Sequence, residues 1–259
     1  MLGLMSDRRR LIDPVSPSLT AYQLTLQAGA RTLVESLDLT LEAGEVLGIL
    51  GANGAGKSTL LAVLAGLAPP AQGRVMLDSS PVDTLPPLAR AQHIGLLPQG
   101  DESGFFGSVA DFVALGHYPF GSPSDLGPHL ATWELTEHAR RPLDTLSGGE
   151  RQRARLAQLA AQQARIALLD EPLTHLDPAH QARLLAWARA EADAGHSVVL
   201  TLHDPNWAAC HCDRLLFLYG DGRWQLGTPG ELLTPASLEA LYGPGTAALW
   251  QKSDRVQPV

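Results

Sequence analysis

The sequence contains few cysteines, no long apolar run and no excess of basic residues, and each shortage excludes a class of protein. Two cysteines in 259 residues cannot build a disulfide framework. No apolar stretch approaches the roughly 18 residues that a membrane-spanning helix needs, and residues 1–7 lack the apolar core of a signal peptide. With 19 Lys and Arg against 27 Asp and Glu, a broad nucleic-acid-binding face is disfavoured. We expect a cytosolic chain that could dock on a membrane protein.

The two cysteines raise the question of a metal site. Cys210 and Cys212 flank His211, and His203 lies upstream. Residues two apart on a helix point to different faces, and no second cysteine pair is present to complete a tetrahedral zinc shell. We therefore interpret both cysteines as buried structural thiols.

Glycine, in contrast, is plentiful, and three of the 25 glycines lie in one motif of the form G-x-x-x-x-G-K-[ST]. An apolar run at 46–50 precedes it as a predicted strand, and 60–65 follows as a predicted helix, which disfavours a chance glycine-rich turn. Its backbone N–H groups and the helix N-terminus would face an anion. Lys57 would reach the β- and γ-phosphates, and the Ser58 hydroxyl would bind Mg²⁺. The predicted nucleoside triphosphate site comprises Gly51, Ala52, Asn53, Gly54, Ala55, Gly56, Lys57, Ser58 and Thr59.

The remaining pattern predicts an α/β protein. Alternating or apolar runs predict further strands at 22–27, 37–41, 74–77, 93–99, 165–169, 197–202, 214–219 and 223–226, with the first two antiparallel. A helix is predicted at 179–194, and two short helices near Leu232 and Leu238. We expect a loose tail at 1–19, one domain at 20–243 and a C-terminal tail at 244–259.

Residues 100–164 have a different character and predict a helical subdomain inserted into the sheet domain. Helices are expected at 109–116 and 130–140, with Pro119, Pro123 and Pro128 in the loop between them.

Polar side chains follow several of the predicted strands. Asp170 and Glu171 end an apolar strand, at the edge where open α/β sheets bind ligands; the alternative is a solvated strand end. Gln99 and His203 end two other strands. Taken singly, they would be interpreted as a surface glutamine and a core histidine.

Leu146-Ser147-Gly148-Gly149-Glu150 opens a helix that continues through residue 160. Two glycines at a helix N-terminus leave it open to an anion, while Ser147 and Glu150 are also spaced as a capping box. Together with the glycine motif and Asp170–Glu171, this segment resembles the ATP-binding-cassette (ABC) family, whose signature is L-S-G-G-[EQ]. The resemblance covers about residues 20–243.

The resemblance implies a P-loop core with an N-terminal antiparallel β subdomain and an inserted helical subdomain. In that family two cassettes form a composite site, in which Ser147, Gly148 and Gly149 of one chain would face the γ-phosphate held by the other. Asp177 would lie in a loop that crosses the dimer interface. The implied catalytic roles are Mg²⁺ binding through water by Asp170, general base for Glu171, metal and water contact for Gln99, and γ-phosphate contact for His203.

One position departs from the family pattern. An aromatic residue that stacks on adenine often precedes the glycine of the first hairpin, but here Ala28 precedes Gly29. Because stacking on an aromatic side chain contributes about 1–3 kcal/mol per base, we expect modest nucleotide affinity and loose base selectivity.

The resemblance also implies a biological role: the ATPase subunit of an importer, paired as a homodimer with a two-subunit permease at the cytoplasmic face of the inner membrane. Segments 111–119, 176–181 and 227–243 resemble importers of iron siderophores, haem and vitamin B12, which deliver cargo through a periplasmic binding protein. The competing class is a soluble ABC ATPase acting on nucleic acid or ribosomes. Such proteins usually have two cassettes, a coiled-coil insertion or zinc-binding cysteine pairs, which this sequence lacks.

Four aromatic side chains stand out in a chain with 5% aromatic residues: Phe105, Phe106, Tyr118 and Phe120. We interpret them either as a groove for a cytoplasmic helix of the permease or as the small core of the helical subdomain.

Overall fold

The computed structural model describes residues 19–100, 104–121 and 125–253. Residues 1–18 of the tail predicted at 1–19, the last six residues and Pro123 lie outside this part of the chain. The strands are β1 Leu19–Ala28, β2 Arg31–Leu41, β3 Val46–Leu50, β4 Gln72–Leu77, β5 Ser80–Pro81, β6 Ile94–Leu97, β7 Ile166–Leu169, β8 Ser197–Thr201, β9 Arg214–Leu218 and β10 Trp224–Gly227. The α-helices are α1 Lys57–Leu64, α2 Pro87–Ala91, α3 Val109–Ala114, α4 Gly127–Thr132, α5 Gly148–Gln162, α6 Pro178–Asp193, α7 Pro205–His211, α8 Pro229–Leu232, α9 Pro235–Tyr242 and α10 Thr246–Ser253.

Two sheets organise these elements. The first is antiparallel, with the strand order β2-β1-β4-β5. The second has the order β10-β9-β3-β8-β7-β6 and is parallel except for β10. Because β3 lies between β9 and β8 and is buried throughout, the loop that follows it emerges near the middle of the sheet's carboxyl edge.

The parallel sheet has an apolar cluster on each face. The alternation of β3 shows this division: Leu47 and Ile49 belong to the cluster shared with α1 and the antiparallel sheet, whereas Val46 and Leu50 belong to the other. The second cluster includes side chains from α5, α6 and the helical subdomain, with fully buried Trp133. Burial on both faces explains why the strands read as continuous apolar runs. The predicted fold class is confirmed.

The helical subdomain differs in detail from the prediction. A 3₁₀ helix, Leu115–Phe120, extends α3 and contains Pro119, which was expected in a loop. The helix predicted at 130–140 is wrong: α4 ends at Thr132, and a 3₁₀ turn follows at Thr136–His138. Glu134 has φ +52°, and a residue in this left-handed conformation ends an α-helix.

The chain ends also contain more structure than the pattern predicts. Leu19 begins β1, and β2 starts at Arg31 rather than at residue 37. Within the described residues, three helices rather than two follow β10, since α10 lies within the predicted C-terminal tail and packs on α9 and α7. The limits of the predicted domain and subdomain stay a prediction. Within the described ranges, no helix combines the length and apolarity needed to span a membrane.

Candidate active site

The glycine-rich loop joins β3 to α1 at the centre of the sheet edge. A Cβ at Gly51 would lie 2.5 Å from the Leu218 carbonyl oxygen, so the close approach to β9 requires glycine. Gly56 occupies the N-cap of α1 with φ +103°, and no side chain in the described structure caps this helix. The first N–H groups of α1 are therefore available to an anion.

Lys57 begins α1 and is only 5% exposed. Its ammonium group donates hydrogen bonds to the carbonyl oxygens of Gly51, at 2.8 Å, and Ala52, at 3.3 Å. Burial lowers the pKa of Lys57, and the carboxylates of Glu171 and Asp170 partly oppose this effect. The loop thus holds a desolvated cation that a phosphate group would neutralise.

A cavity of about 420 Å³ opens above this loop. It brings the glycine-rich loop together with the ends of three other segments of the fold. The lining residues are Ala28, Leu33, Asn53, Gly54, Gly56, Lys57, Ser58, Thr59, Gln99, Glu171 and His203. We call it the phosphate cavity. Ala28 stands at its edge, where the family often has an aromatic side chain.

Glu171 lies between Gln99 and His203. Its Oε1 is 2.8 Å from His203 Nε2, and its Oε2 accepts a hydrogen bond of 2.9 Å from Gln99 Nε2. The backbone of Glu171 is left-handed, with φ +48°, a conformation that costs free energy in a residue other than glycine. The surrounding contacts therefore hold this carboxylate at the cavity wall.

Thr201 at the end of β8 orients both acidic residues, and the motifs do not predict it. Its hydroxyl donates to Asp170 Oδ1 at 2.9 Å and accepts from the Glu171 N–H at 2.5 Å. Thr201 is only 1% exposed, so these bonds form away from water. The available signal was a polar residue near the carboxyl end of an otherwise apolar strand.

The residues predicted to hold Mg²⁺ supply suitable oxygen ligands. Ser58 and Gln99 line the phosphate cavity, and buried Asp170 lies beside it next to Glu171. Gln99 donates through its amide nitrogen, which leaves its amide oxygen for a cation. A hydroxyl, an amide oxygen and a carboxylate fit the preference of Mg²⁺ for hard oxygen ligands and bound water.

The helix α5 begins at the second glycine motif, and its N-terminus is capped. Ser147 Oγ accepts from the Glu150 N–H at 3.3 Å, and Glu150 Oε2 accepts from the Ser147 N–H at 2.8 Å. The capping box is therefore present. Ser147, Gly149 and Asp177 do not line the phosphate cavity, while Gly148 lines a neighbouring cavity of about 350 Å³ with Gln99 and Glu171.

Two side chains of α5 tie this helix to the ends of β6 and β7. Gln152 Nε2 donates to the Pro172 carbonyl oxygen at 3.0 Å and its Oε1 accepts from Arg155 at 3.0 Å. Arg155 also donates to the carbonyl oxygen of Pro98, next to Gln99. These bonds connect α5 to the segments that carry Gln99 and Glu171.

The cysteines and the aromatic residues only partly match the predictions. Cys212 is buried, and burial raises the pKa of its thiol to about 12, but Cys210 is exposed, so the interpretation of both thiols as buried is wrong. Phe105 packs edge-on against Phe112, at 5.4 Å between ring centroids, and belongs to the core margin.

The other three predicted aromatic residues are exposed at the surface. Phe106 is 92% exposed, Tyr118 76% and Phe120 45%. Phe105, Leu115 and Tyr118 line a groove of about 520 Å³ beside α5, which we call the aromatic groove. Phe105 thus fits both interpretations, since it packs at the core margin and lines the groove. Tyr118 fits the groove interpretation, whereas Phe106 and Phe120 are exposed but do not line the groove.

The fold and the glycine-rich loop define a P-loop nucleoside triphosphate hydrolase. The sequence model of the ABC transporter family matches residues 34–174. The chain belongs to this family, and it is an ATP-binding, transport-coupled ATP hydrolase.

Relatives and solved structures agree with this assignment. The chain is 43% identical over 235 residues to the hemin import ATP-binding protein HmuV of Pseudomonas aeruginosa, covering 87% of this chain and 92% of the relative. HmuV of Bordetella pertussis is 42% identical over 245 residues, with the same coverage. A structure described as a metal-chelate type ABC transporter in an inward-facing conformation superposes with TM-score 0.74 at 31% identity, covering 87% of this chain and 89% of that chain.

Proposed function

We propose that this chain is the ATPase subunit of an importer that takes up haem. The similarity to hemin import ATP-binding proteins, at 42–43% identity over 87% of the chain, carries the proposal. The sequence motifs predicted an iron chelate or vitamin B12, and the named relatives favour haem among these. The subunit would bind a two-subunit permease at the cytoplasmic face of the inner membrane, and a periplasmic binding protein would supply the cargo.

The subunit would work as a homodimer with two composite sites. The support comes from Gly148: apart from its chain neighbours and the adjacent backbone of α5, no described heavy atom lies within 4 Å of where its Cβ would be. Packing within one chain therefore does not require this glycine. A second chain whose bound γ-phosphate approaches the start of α5 would require it. Asp177 would meet the partner at the same interface.

Catalysis would be mainly electrostatic. Lys57 and the N–H groups at the start of α1 would stabilise charge on the transferred phosphoryl group. Glu171 would accept a proton from the attacking water, and His203 would contact the γ-phosphate. Mg²⁺ held by Ser58, Gln99 and Asp170 would neutralise charge on the β- and γ-phosphate oxygens.

The aromatic groove would receive a cytoplasmic helix of the permease. Its position supports this role, since Phe105 and Tyr118 line it together with Arg155, whose guanidinium bonds to the segment carrying Gln99. A helix pressed into the groove would therefore act on a residue that contacts the catalytic carboxylate. Nothing comparable supports the alternative role on nucleic acid or ribosomes, and a net charge of −8 disfavours it.

The direct test is uptake in a strain that lacks this gene. Labelled haem, a ferric siderophore and cobalamin would each be supplied, with the wild-type gene and the Glu171→Gln variant as complementing plasmids. We expect only haem uptake to be lost, and only the wild-type gene to restore it. Normal uptake of all three compounds would refute the proposal.

The Glu171→Gln variant also tests the dimer and the base. We expect it to bind MgATP and to elute as a dimer in size-exclusion chromatography. We expect its rate of ATP hydrolysis to be at least about 100-fold lower than that of the wild type. Wild-type turnover in this variant would disprove the role of Glu171.

A further inference from the structure

Glu134, just beyond α4, combines an unfavourable backbone with several side-chain contacts. Its φ of +52° lies in the region that glycine adopts without steric cost. It is nevertheless a glutamate, 54% exposed at the side chain, and its residue does not line the phosphate cavity. A long acidic side chain at such a position suggests that its carboxylate has a functional role.

The backbone around Glu134 is attached to α5. Arg153 Nη1, on α5, donates to the carbonyl oxygens of Trp133, at 3.0 Å, and Glu134, at 3.1 Å. Trp133 is fully buried, so the turn cannot shift freely. The position of this turn is therefore fixed relative to α5, the helix that Ser147 caps.

The carboxylate of Glu134 points to α6. Oε1 is 2.6 Å from Arg183 Nη2, and Oε2 is 3.3 Å from His180 Nε2. The other ring nitrogen of His180, Nδ1, lies 2.8 Å from Asp177 Oδ1, and the backbone N–H of His180 donates to the same oxygen at 2.9 Å. One chain of contacts thus runs from α5 through Glu134 and His180 to Asp177.

We propose that Glu134 is a positioning residue that holds Asp177 in a fixed place relative to the start of α5. This inference rests on the proposed function, which assigns Asp177 and the start of α5 to the dimer interface. Asp177 and the start of α5 lie on different parts of the fold, and both must meet the partner in one geometry. Glu134 links them through polar side-chain contacts rather than through the apolar core.

The energetics separate this role from a structural one. Ion pairs between exposed side chains contribute little to stability, because water screens them and their ordering costs entropy. Misplacing a group at an active site, in contrast, reduces turnover strongly. Removal of the Glu134 charge should therefore lower turnover without unfolding the protein.

The test compares Glu134→Gln with Glu137→Gln, a matched control that removes an exposed carboxylate three residues away. For Glu134→Gln we expect kcat to fall about fivefold or more, KM for ATP to stay within about twofold, and the unfolding temperature to change by less than about 2 °C. The Glu137→Gln protein should match the wild type in all three. Wild-type kcat in Glu134→Gln would overturn the inference.

Two further variants exclude a structural explanation. Glu134→Gly removes the carboxylate but suits the left-handed backbone, so we expect the same loss of kcat with no decrease in unfolding temperature. Because Glu134 and His180 act in one chain of contacts, the Glu134→Gln/His180→Gln double variant should be no slower than the slower single variant. A slower double variant, or a kcat that falls together with stability, would contradict the inference.

A measurement of dimerisation distinguishes failure of this inference from failure of the proposed function. If Glu171→Gln fails to dimerise with MgATP, the proposed function and this inference both fail. If it dimerises and the Glu134→Gln/Glu171→Gln protein dimerises equally well at every MgATP concentration, only the role of Glu134 is wrong. We expect the double variant to need a higher concentration of MgATP.

Discussion

The helices α1 and α5 both begin at a glycine-rich motif, yet their N-termini differ in how their polar groups are satisfied. At α1 no side-chain cap is present in the described structure, and Lys57 is the first helical residue. At α5 Ser147 and Glu150 form a complete capping box. The first N-terminus therefore lacks bonding partners that an anion would supply, whereas the second is stable by itself. In the proposed dimer, the phosphate held by the partner would compete with an existing cap at α5, which suits a contact that forms and breaks in each cycle.

Replacing Lys57 removes the charge at the uncapped end and should have the largest effect. We expect Lys57→Met to reduce ATP hydrolysis at least about 100-fold, because no other lysine or arginine lines the phosphate cavity among the described residues. Steady-state hydrolysis measures this loss.

The same variant should not destabilise the protein. Burial lowers the pKa of Lys57, so its charged form destabilises the folded state wherever the unfolded-state lysine is protonated, including pH 7. Without nucleotide, urea unfolding of Lys57→Met should give an equal or higher free energy of unfolding. A clear decrease would show that Lys57 stabilises the empty loop.

Removing the cap of α5 tests whether this end also has a functional role. Ser147→Ala should cost about 1 kcal/mol of stability through the lost cap, and about tenfold in hydrolysis through a lost contact to the partner's phosphate. Ser108→Ala is the matched control, since Ser108 and Asp111 form a capping box of the same kind at the start of α3.

We expect Ser108→Ala to lose similar stability and to keep the wild-type rate. Thermal unfolding and hydrolysis assays on both proteins decide the question. Equal rates in the two variants would mean that Ser147 only caps the helix.

Ala28 offers a smaller change at the α1 site. An aromatic ring there could stack on the base, so Ala28→Tyr should lower the KM for ATP about fivefold, corresponding to about 1 kcal/mol. Loose base selectivity also predicts that the wild type hydrolyses GTP and ATP with similar kcat/KM. Competition between the two nucleotides measures this, and a strong ATP preference in the wild type would contradict it.

The smallest expected effect concerns Glu150. Its bond to the Ser147 N–H lowers the pKa of this carboxyl below the usual value. Such a group stabilises the fold above its unfolded-state pKa, and the contribution is lost as the pH falls through the folded-state value. Glu150→Gln should therefore weaken the decline in stability below about pH 4.3, the usual glutamate pKa. Unfolding curves at several pH values would show it.

The sequence pattern predicts those features that depend on neighbouring residues. The loop at 51–59 lies between an apolar strand and an apolar helix, so its position follows from local spacing alone. Thr201 and Arg155 escape prediction because their partners, Asp170 and Pro98, are 31 and 57 residues away. The motifs locate the acidic pair but not the groups that orient it.

The helix wrongly predicted at 130–140 and the unpredicted helix α10 also have physical explanations. The apolar residues at 130–140 suit a helix, but the left-handed conformation of Glu134 interrupts it, and glutamate gives no signal for such a turn. The helix α10 is short and gains stability from α9, where Thr246 Oγ1 donates to the Leu238 carbonyl oxygen at 3.1 Å. Local helix propensity does not account for tertiary packing of this kind.

The contrast between the two cysteines has a practical consequence. Cys210 is exposed on α7, while Cys212 is buried with a pKa raised to about 12, and the sequence has no other cysteine. A thiol-reactive dye should therefore attach at Cys210 without mutagenesis, because the thiolate is the reactive form. The helix α7 begins one residue after Asp204, next to His203. A fluorophore on Cys210 would thus report, in the native sequence, on any nucleotide-dependent movement of α7, which begins close to His203.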